Sequence, residues 1–226
     1  GFFISPTTII SAAHCFEVSY GVMLPDGSVV EVPSGISPVG THVSFIRYGD
    51  LDLMTNSLLN RPQRATVVYS NHEEDFTILE LAEASSPSSF FFQIAETDPR
   101  VGQAAFGIGH PYRLAWSFET GIISRVVTSR NPENIVILQA SVPVAGGNSG
   151  GPLLNASGEI IGMAVGFVDR LPHLAIFISA DKIRSQIRNH RVQQLIAAFE
   201  EHERQQRHDQ HPTIQEDPNA HLDGGP

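Results

Sequence analysis

Through about residue 180 the apolar positions fall in short runs, rich in Val, Ile, Phe and Thr and broken by Gly, Pro, Asn and Asp. That pattern predicts an all-β sandwich or barrel. The runs place strands at Phe2 to Ile4, Thr8 to Ile10, Tyr20 to Leu24, Val29 to Val32, His42 to Tyr48, Ala65 to Tyr69 and Phe76 to Leu81. A second group covers Ala104 to Ile108, Gly121 to Val127, Ile135 to Gln139, Gly151 to Leu154, Glu159 to Val165 and Leu174 to Ile178. Pro25-Asp26-Gly27 reads as a hairpin turn, Pro presetting φ and Gly supplying a positive φ. The small, polar segment Glu83 to Ser89 reads as a connector, which divides the chain into lobes over 1–85 and 86–180. Beyond Ser179 the period changes. Asp181 reads as an N-cap, and Ile183, Ile187, Leu195, Ile196 and Phe199 recur at helical spacing, predicting a helix over 181–207 packed on the second lobe. Residues 208–226 hold few apolar side chains and are expected to be a disordered tail.

The 226 residues, 41% of them hydrophobic, suffice to bury a sizeable core. With 24 acidic residues against 14 basic, the net charge of -10 argues against nucleic acid and anionic membrane surfaces as partners. No apolar run is long enough to span a bilayer. Cys15 is the only cysteine, so no disulfide can form within the chain, and the compartment is not specified. The histidines of the segment His202 to His211 are irregularly spaced and read as solvated rather than metal-binding; no metal and no cofactor is expected.

Two strings carry chemistry. In Gly146-Gly147-Asn148-Ser149-Gly150-Gly151-Pro152 the glycines let the backbone turn tightly, expose a hydroxyl and aim main-chain N–H groups at one point. A serine hydroxyl is a weak nucleophile and needs an adjacent base, usually a histidine oriented by a carboxylate. In Ile10-Ser11-Ala12-Ala13-His14-Cys15 a histidine follows an apolar strand among small residues.

SAAHC and GNSGGPLLN resemble the histidine and serine motifs of trypsin-like peptidases, and DPRVGQAAFGIGHP, TGIISRV and GEIIGM are similar to segments of the HtrA/Deg-type branch. The resemblance extends over residues 1–188. It implies a chymotrypsin-like double β-barrel with a C-terminal helix, a polypeptide substrate, and a triad in the chain order His14, Asp75, Ser149. Asp75 is the candidate because it opens the alternating run Asp75 to Leu81; Asp50 and Asp52 are lesser candidates. His14 would act as base and then acid, Asp75 would hold its tautomer, and the N–H groups of Gly147 and Ser149 would form the oxyanion hole. The implied activity is that of a serine endopeptidase.

Several positions depart from trypsin itself. Asn148 precedes the serine where zymogen-activated enzymes use an Asp, so activity is not expected to need a freed α-amino group. Pro143 stands where an Asp would select basic residues; with Val144, Met163, Ala164 and Val165 it implies an apolar pocket for small or aliphatic residues before the scissile bond. Gly1 lies close before His14, so the first lobe is expected to lack its first strand and to leave an unpaired edge. The upstream partner that the resemblance gives Cys15 would fall before Gly1. A PDZ domain is not expected in this chain, and the oligomeric state is left open. The competing reading is an inactive or weakly active scaffold or binding protein on the same fold.

Overall fold

The computed structural model describes residues 1–16, 19–23, 29–33, 39–47, 50–52, 57–58, 60–83, 85–97, 99–113, 116–128, 135–168 and 171–210. The Pro25-Asp26-Gly27 turn and the tail beyond residue 210 lie outside these. Contacts divide the chain into one unit of residues Gly1–Gln186 and a second of Ile187–Pro226.

The first lobe contains β1 (Phe2–Phe3), β2 (Thr8–Ser11), β3 (Ser19–Met23), β4 (Val29–Pro33), β5 (His42–Phe45), β6 (Leu51–Asp52), β7 (Ser57–Leu58), β8 (Gln63–Asn71) and β9 (Phe76–Leu81). Its main sheet has the order β1-β2-β9-β8-β5, and β3-β4 and β6-β7 are separate hairpins. Among the described residues this sheet is open, with β1 and β5 as its edges. Alternation along β8 buries Ala65, Val67 and Tyr69, the period-2 signature of a half-buried strand. Ile9, Ala65, Val67 and Leu79 form the lobe's core, with Phe3, Phe16, Val43 and Phe45 packed against it.

The second lobe is a closed barrel of order β10-β11-β12-β15-β14-β13. Its strands are β10 (Ala104–Gly109), β11 (Ser117–Thr128), β12 (Ile135–Ala140), β13 (Pro152–Leu154), β14 (Ile160–Val168) and β15 (Leu171–Ser179). Closure leaves no free edge, and Ile123, Leu138, Leu153, Ile161 and Phe177 fill the interior. The all-β architecture is the one expected from the strand pattern, and it is consistent with the chymotrypsin-like double β-barrel that the resemblance implies.

The polar connector covers one edge of the open sheet. Ser88 N–H donates to Pro6 O at 2.7 Å and Phe92 N–H to Phe3 O at 2.9 Å, while Ala95 N–H donates to Ile160 O at 2.9 Å on the second lobe. One strip of chain is thus hydrogen-bonded to both lobes.

The helix α1 runs Ala180–Gln210. Its cap is not Asp181 but the fully buried Ser179, whose Oγ accepts the Lys182 N–H at 3.2 Å; the third residue past the cap is where a serine oxygen reaches an orphan donor. Asp181 instead stands in the first turn and pairs with Arg184 at 3.0 Å. The opening turns are tied to the first lobe as well. Lys182 pairs with Glu74 at 2.5 Å, and Gln186 Oε1 accepts from Tyr69 Oη at 2.8 Å and Asn71 Nδ2 at 3.2 Å. Of the helical apolar positions, Ile183 is fully buried, whereas Leu195, Ile196 and Phe199 are exposed.

Candidate active site

His14 lies in a 3₁₀ turn, Ala13–Phe16, directly after β2. Asp75 stands one residue before β9, in the turn of the β8–β9 hairpin, with φ of +48° and its amide donating to His72 O at 3.1 Å. Asp is among the few side chains found readily in that left-handed region. Because β2 and β9 are paired, with Ser11 opposite Thr77, the two segments emerge side by side. The Asp75 carboxylate accepts twice from His14: Oδ1 takes the backbone N–H at 2.9 Å and Oδ2 takes Nδ1–H at 2.7 Å. Placing the proton on Nδ1 leaves Nε2 free to accept another. Asp50 is engaged elsewhere, accepting from Asn60 Nδ2 at 2.8 Å, and the Asp52 side chain lies outside the described set.

The pair shifts both ionisations. The hydrogen bond to Asp75, and after it one to Cys15, raises the His14 pKa from 6.5 to about 10 against the opposing effect of burial. Burial pushes the Asp75 carboxyl upward, but the His14 ring and the backbone N–H groups of His14 and Ala13 outweigh it and hold the pKa below its usual value of 3.8. Imidazolium beside carboxylate is the favoured resting state.

Ser149 lies on the loop between β12 and β13, at a tight turn where Gly150 has φ of +75°. A Cβ on Gly150 would overlap Ser11 Oγ and stand 2.9 Å from Ala12 N. Glycine is what lets the serine loop close onto the end of β2, just before the turn that carries His14. Beyond His14, Cys15 Sγ donates to Ser149 O at 3.7 Å. The serine loop therefore meets the first lobe on both sides of His14 in sequence. Among the described residues Ser149 Oγ makes no hydrogen bond.

Two peptide planes beside Ser149 are fixed by their carbonyls. Gly146 O accepts from Tyr112 N–H at 2.8 Å, and Asn148 O accepts from Gly151 N–H at 2.9 Å. In a trans peptide the N–H points opposite the carbonyl, so the amides of Gly147 and Ser149 are turned away from these partners, and among the described residues neither has an acceptor. Gly147 has φ of +103°, and a Cβ there would overlap His110 O. Sequence reasoning did not single out His110 and Tyr112, which brace this loop; the GHPY turn after β10 is the signal that marks them. Asn148 is buried against Gly109, its Oδ1 without a partner among the described residues.

The five pocket candidates are not gathered into one cleft. Pro143, Val144 and Ala164 line a small cavity with Gly109, Asn148 and Glu119, whereas Met163 is fully buried and pairs in register with Pro152. Val165 does not line it. Ser149 itself faces a larger cavity of about 930 Å³, shared with Ser11, Gly147, His110 and the aromatic rings of Phe45 and Phe92. Among the described residues no three His, Cys, Asp or Glu side chains cluster as metal ligands. The side chains of His202, His208 and His211 lie outside the described set. Among the described residues no helix is long and apolar enough to cross a membrane.

Residues 1–163 match the family model of the trypsin-like peptidase domain. The chain belongs to this family. Among curated trypsin-like relatives, a probable periplasmic serine endoprotease, DegP-like, of Hahella chejuensis is 29% identical over 55% of this chain and 24% of its own length. The periplasmic pH-dependent serine endoprotease DegQ of Escherichia coli is 30% identical over 49% of this chain and 27% of its own length. The chain thus spans about a quarter of these relatives. Among solved structures, a serine endoprotease from Yersinia pestis superposes with a TM-score of 0.54 at 20% identity, covering 83% of this chain and 55% of that one. The Rv3671c protease of M. tuberculosis, in an inactive form, gives 0.54 at 18% identity, covering 84% and 82%. At such identities the superpositions speak for the shared fold.

Proposed function

We propose that this trypsin-like domain is a serine endopeptidase in which Ser149 attacks the scissile carbonyl. The observation that carries the reading is the closure of the serine loop, Gly150 against Ser11 and the Ser149 carbonyl on Cys15 Sγ, onto the segment that holds the Asp75-bound His14. His14 Nε2 takes the Ser149 proton as the Oγ–carbon bond forms, and the N–H groups of Gly147 and Ser149 receive the oxyanion. His14 then protonates the departing amine as the C–N bond breaks. Water repeats the sequence to release the acyl group and restore Ser149. Asp75 keeps the Nδ1 proton in place and stabilises imidazolium throughout.

For this site the preferred residue before the cut is small or aliphatic, since Pro143, Val144 and Ala164 contribute apolar wall. Glu119 lines the same cavity, but its Oε1 accepts from Ser117 Oγ at 2.5 Å. Labelling with a fluorophosphonate tests the nucleophile, with Ser149→Ala as control. Labelling independent of Ser149, or none, favours the scaffold reading instead. A peptide library tests preference; enrichment of Lys or Arg before the cut would overturn the aliphatic assignment and implicate Glu119.

A further inference from the structure

The helix α1 has two apolar faces. At about 100° per residue, Ile183, Gln186 and Ile187 project from one side, and Ile183 and Gln186 are buried. Further along the helix, Val192, Leu195, Ile196 and Phe199 share one side, exposed to 53%, 71%, 53% and 63%. Single exposed apolar residues need no explanation. Four in the i, i+3, i+4, i+7 pattern form a continuous stripe of the kind that docks on another helix.

The flanking charges say which helix fits. Residues 181–191 carry four basic side chains and one acidic, residues 192–199 carry none, and residues 200–210 carry four acidic and two basic. The stripe therefore separates a basic end from an acidic one, and its midpoint falls between Leu195 and Ile196. A second copy laid antiparallel, with a two-fold axis at that midpoint, sets apolar against apolar and each basic end against an acidic end. The helix macrodipoles oppose favourably in the same arrangement. Parallel pairing would set like charge against like at both ends. An anionic membrane is a poor occupant, because the acidic end and the net charge of -10 are repelled by it.

We propose that the Val192, Leu195, Ile196 and Phe199 stripe is a homodimerisation surface on which α1 of a second copy packs antiparallel. The dimer is isologous, each chain contributing the same patch. It stands whether or not the chain is catalytic.

Sedimentation equilibrium of the full chain from about 1 μM to about 1 mM tests it. A mass rising to twice the chain mass is expected, with a Kd raised at least about tenfold by Leu195→Glu or Ile196→Glu. Both positions are exposed, and an unchanged circular dichroism spectrum shows that the variants fold. Arg188→Glu with Arg191→Glu makes both ends acidic, and Glu200→Arg with Glu201→Arg makes both ends basic. Each double variant should dimerise more weakly alone, and mixing the two should restore association. A parallel dimer would not be weakened by the first reversal, because its basic ends already repel. A wild-type chain monomeric throughout, a dimer indifferent to Leu195→Glu, or a mixture that fails to associate overturns the proposal. So does binding to phosphatidylglycerol vesicles by a chain that stays monomeric in solution.

Discussion

Asp75 grips His14 at two points, the ring Nδ1 at 2.7 Å and the backbone N–H at 2.9 Å. The first bond sets the tautomer, and the second fixes the turn from which the ring projects. In Asp75→Asn the amide can accept only one of these bonds and presents a donor to the other. The expected result is a loss in kcat of about 10⁴-fold on ester and peptide substrates, the scale seen when a triad carboxylate is made neutral. KM should change little, because Asp75 does not touch the substrate. A Ser149-dependent kcat within a factor of about ten of wild type would remove Asp75 from the proposed triad.

The same contacts set a pH dependence. A general base must be unprotonated, and the Asp75 and Cys15 hydrogen bonds hold the His14 pKa at about 10 rather than 6.5. Below that pKa the free protein carries imidazolium, so kcat/KM should climb with pH well beyond neutrality. Cys15→Ala removes one of the two raising hydrogen bonds and should move the limb to lower pH, increasing the rate at pH 7. A limb that stays in place in Cys15→Ala shows that the thiol has no part in the shift.

Stability follows with its own sign. The raised pKa of His14 contributes stability that is fully present below its ordinary 6.5 and is lost as pH rises toward about 10. The lowered pKa of Asp75 contributes above its ordinary 3.8 and is lost as pH falls through the depressed value. The melting-temperature difference between wild type and His14→Ala should therefore be widest between about pH 4 and pH 6.5 and narrow on both sides. A difference that does not vary with pH would mean that His14 supports the fold through packing alone.

Much of this arrangement is legible in the sequence. Apolar runs announced β8 and β9, of which β8 is half-buried and β9 is buried on both faces from Phe76 to Leu79, and the run after Asp75 located the end of a strand that a carboxylate could occupy. Three features are not. The pairing of β2 with β9, which brings Asp75 to His14, is a contact across 61 residues, and local pattern carries no register at that distance. Asp181 resembled a cap, but Ser179, fully buried at the end of β15, has its Oγ over the Lys182 amide. Met163 resembled pocket wall because composition reports apolarity and not direction; its barrel register with Pro152 leaves it fully buried. The braces at His110 and Tyr112 escaped notice because they act through backbone atoms, which any residue supplies.

Those backbone braces yield a contrast between adjacent glycines. At Gly147, φ of +103° and the nearby His110 carbonyl exclude a side chain, whereas nothing lies within 4 Å of a Cβ on Gly146. Gly147→Ala must swing its peptide or push the GHPY turn away. Either response breaks the hold of Tyr112 N–H on Gly146 O that points the Gly147 N–H outward. Loss of one oxyanion donor costs about 10²- to 10³-fold in kcat. Gly147→Ala should show a loss of that size and a parallel loss of affinity for a peptide boronate, which mimics the tetrahedral state, while KM holds. Gly146→Ala should remain near wild type in both assays. Equal damage from the two substitutions would mean that the loop tolerates no side chain at all, and the specific role of the Gly147 amide would fall.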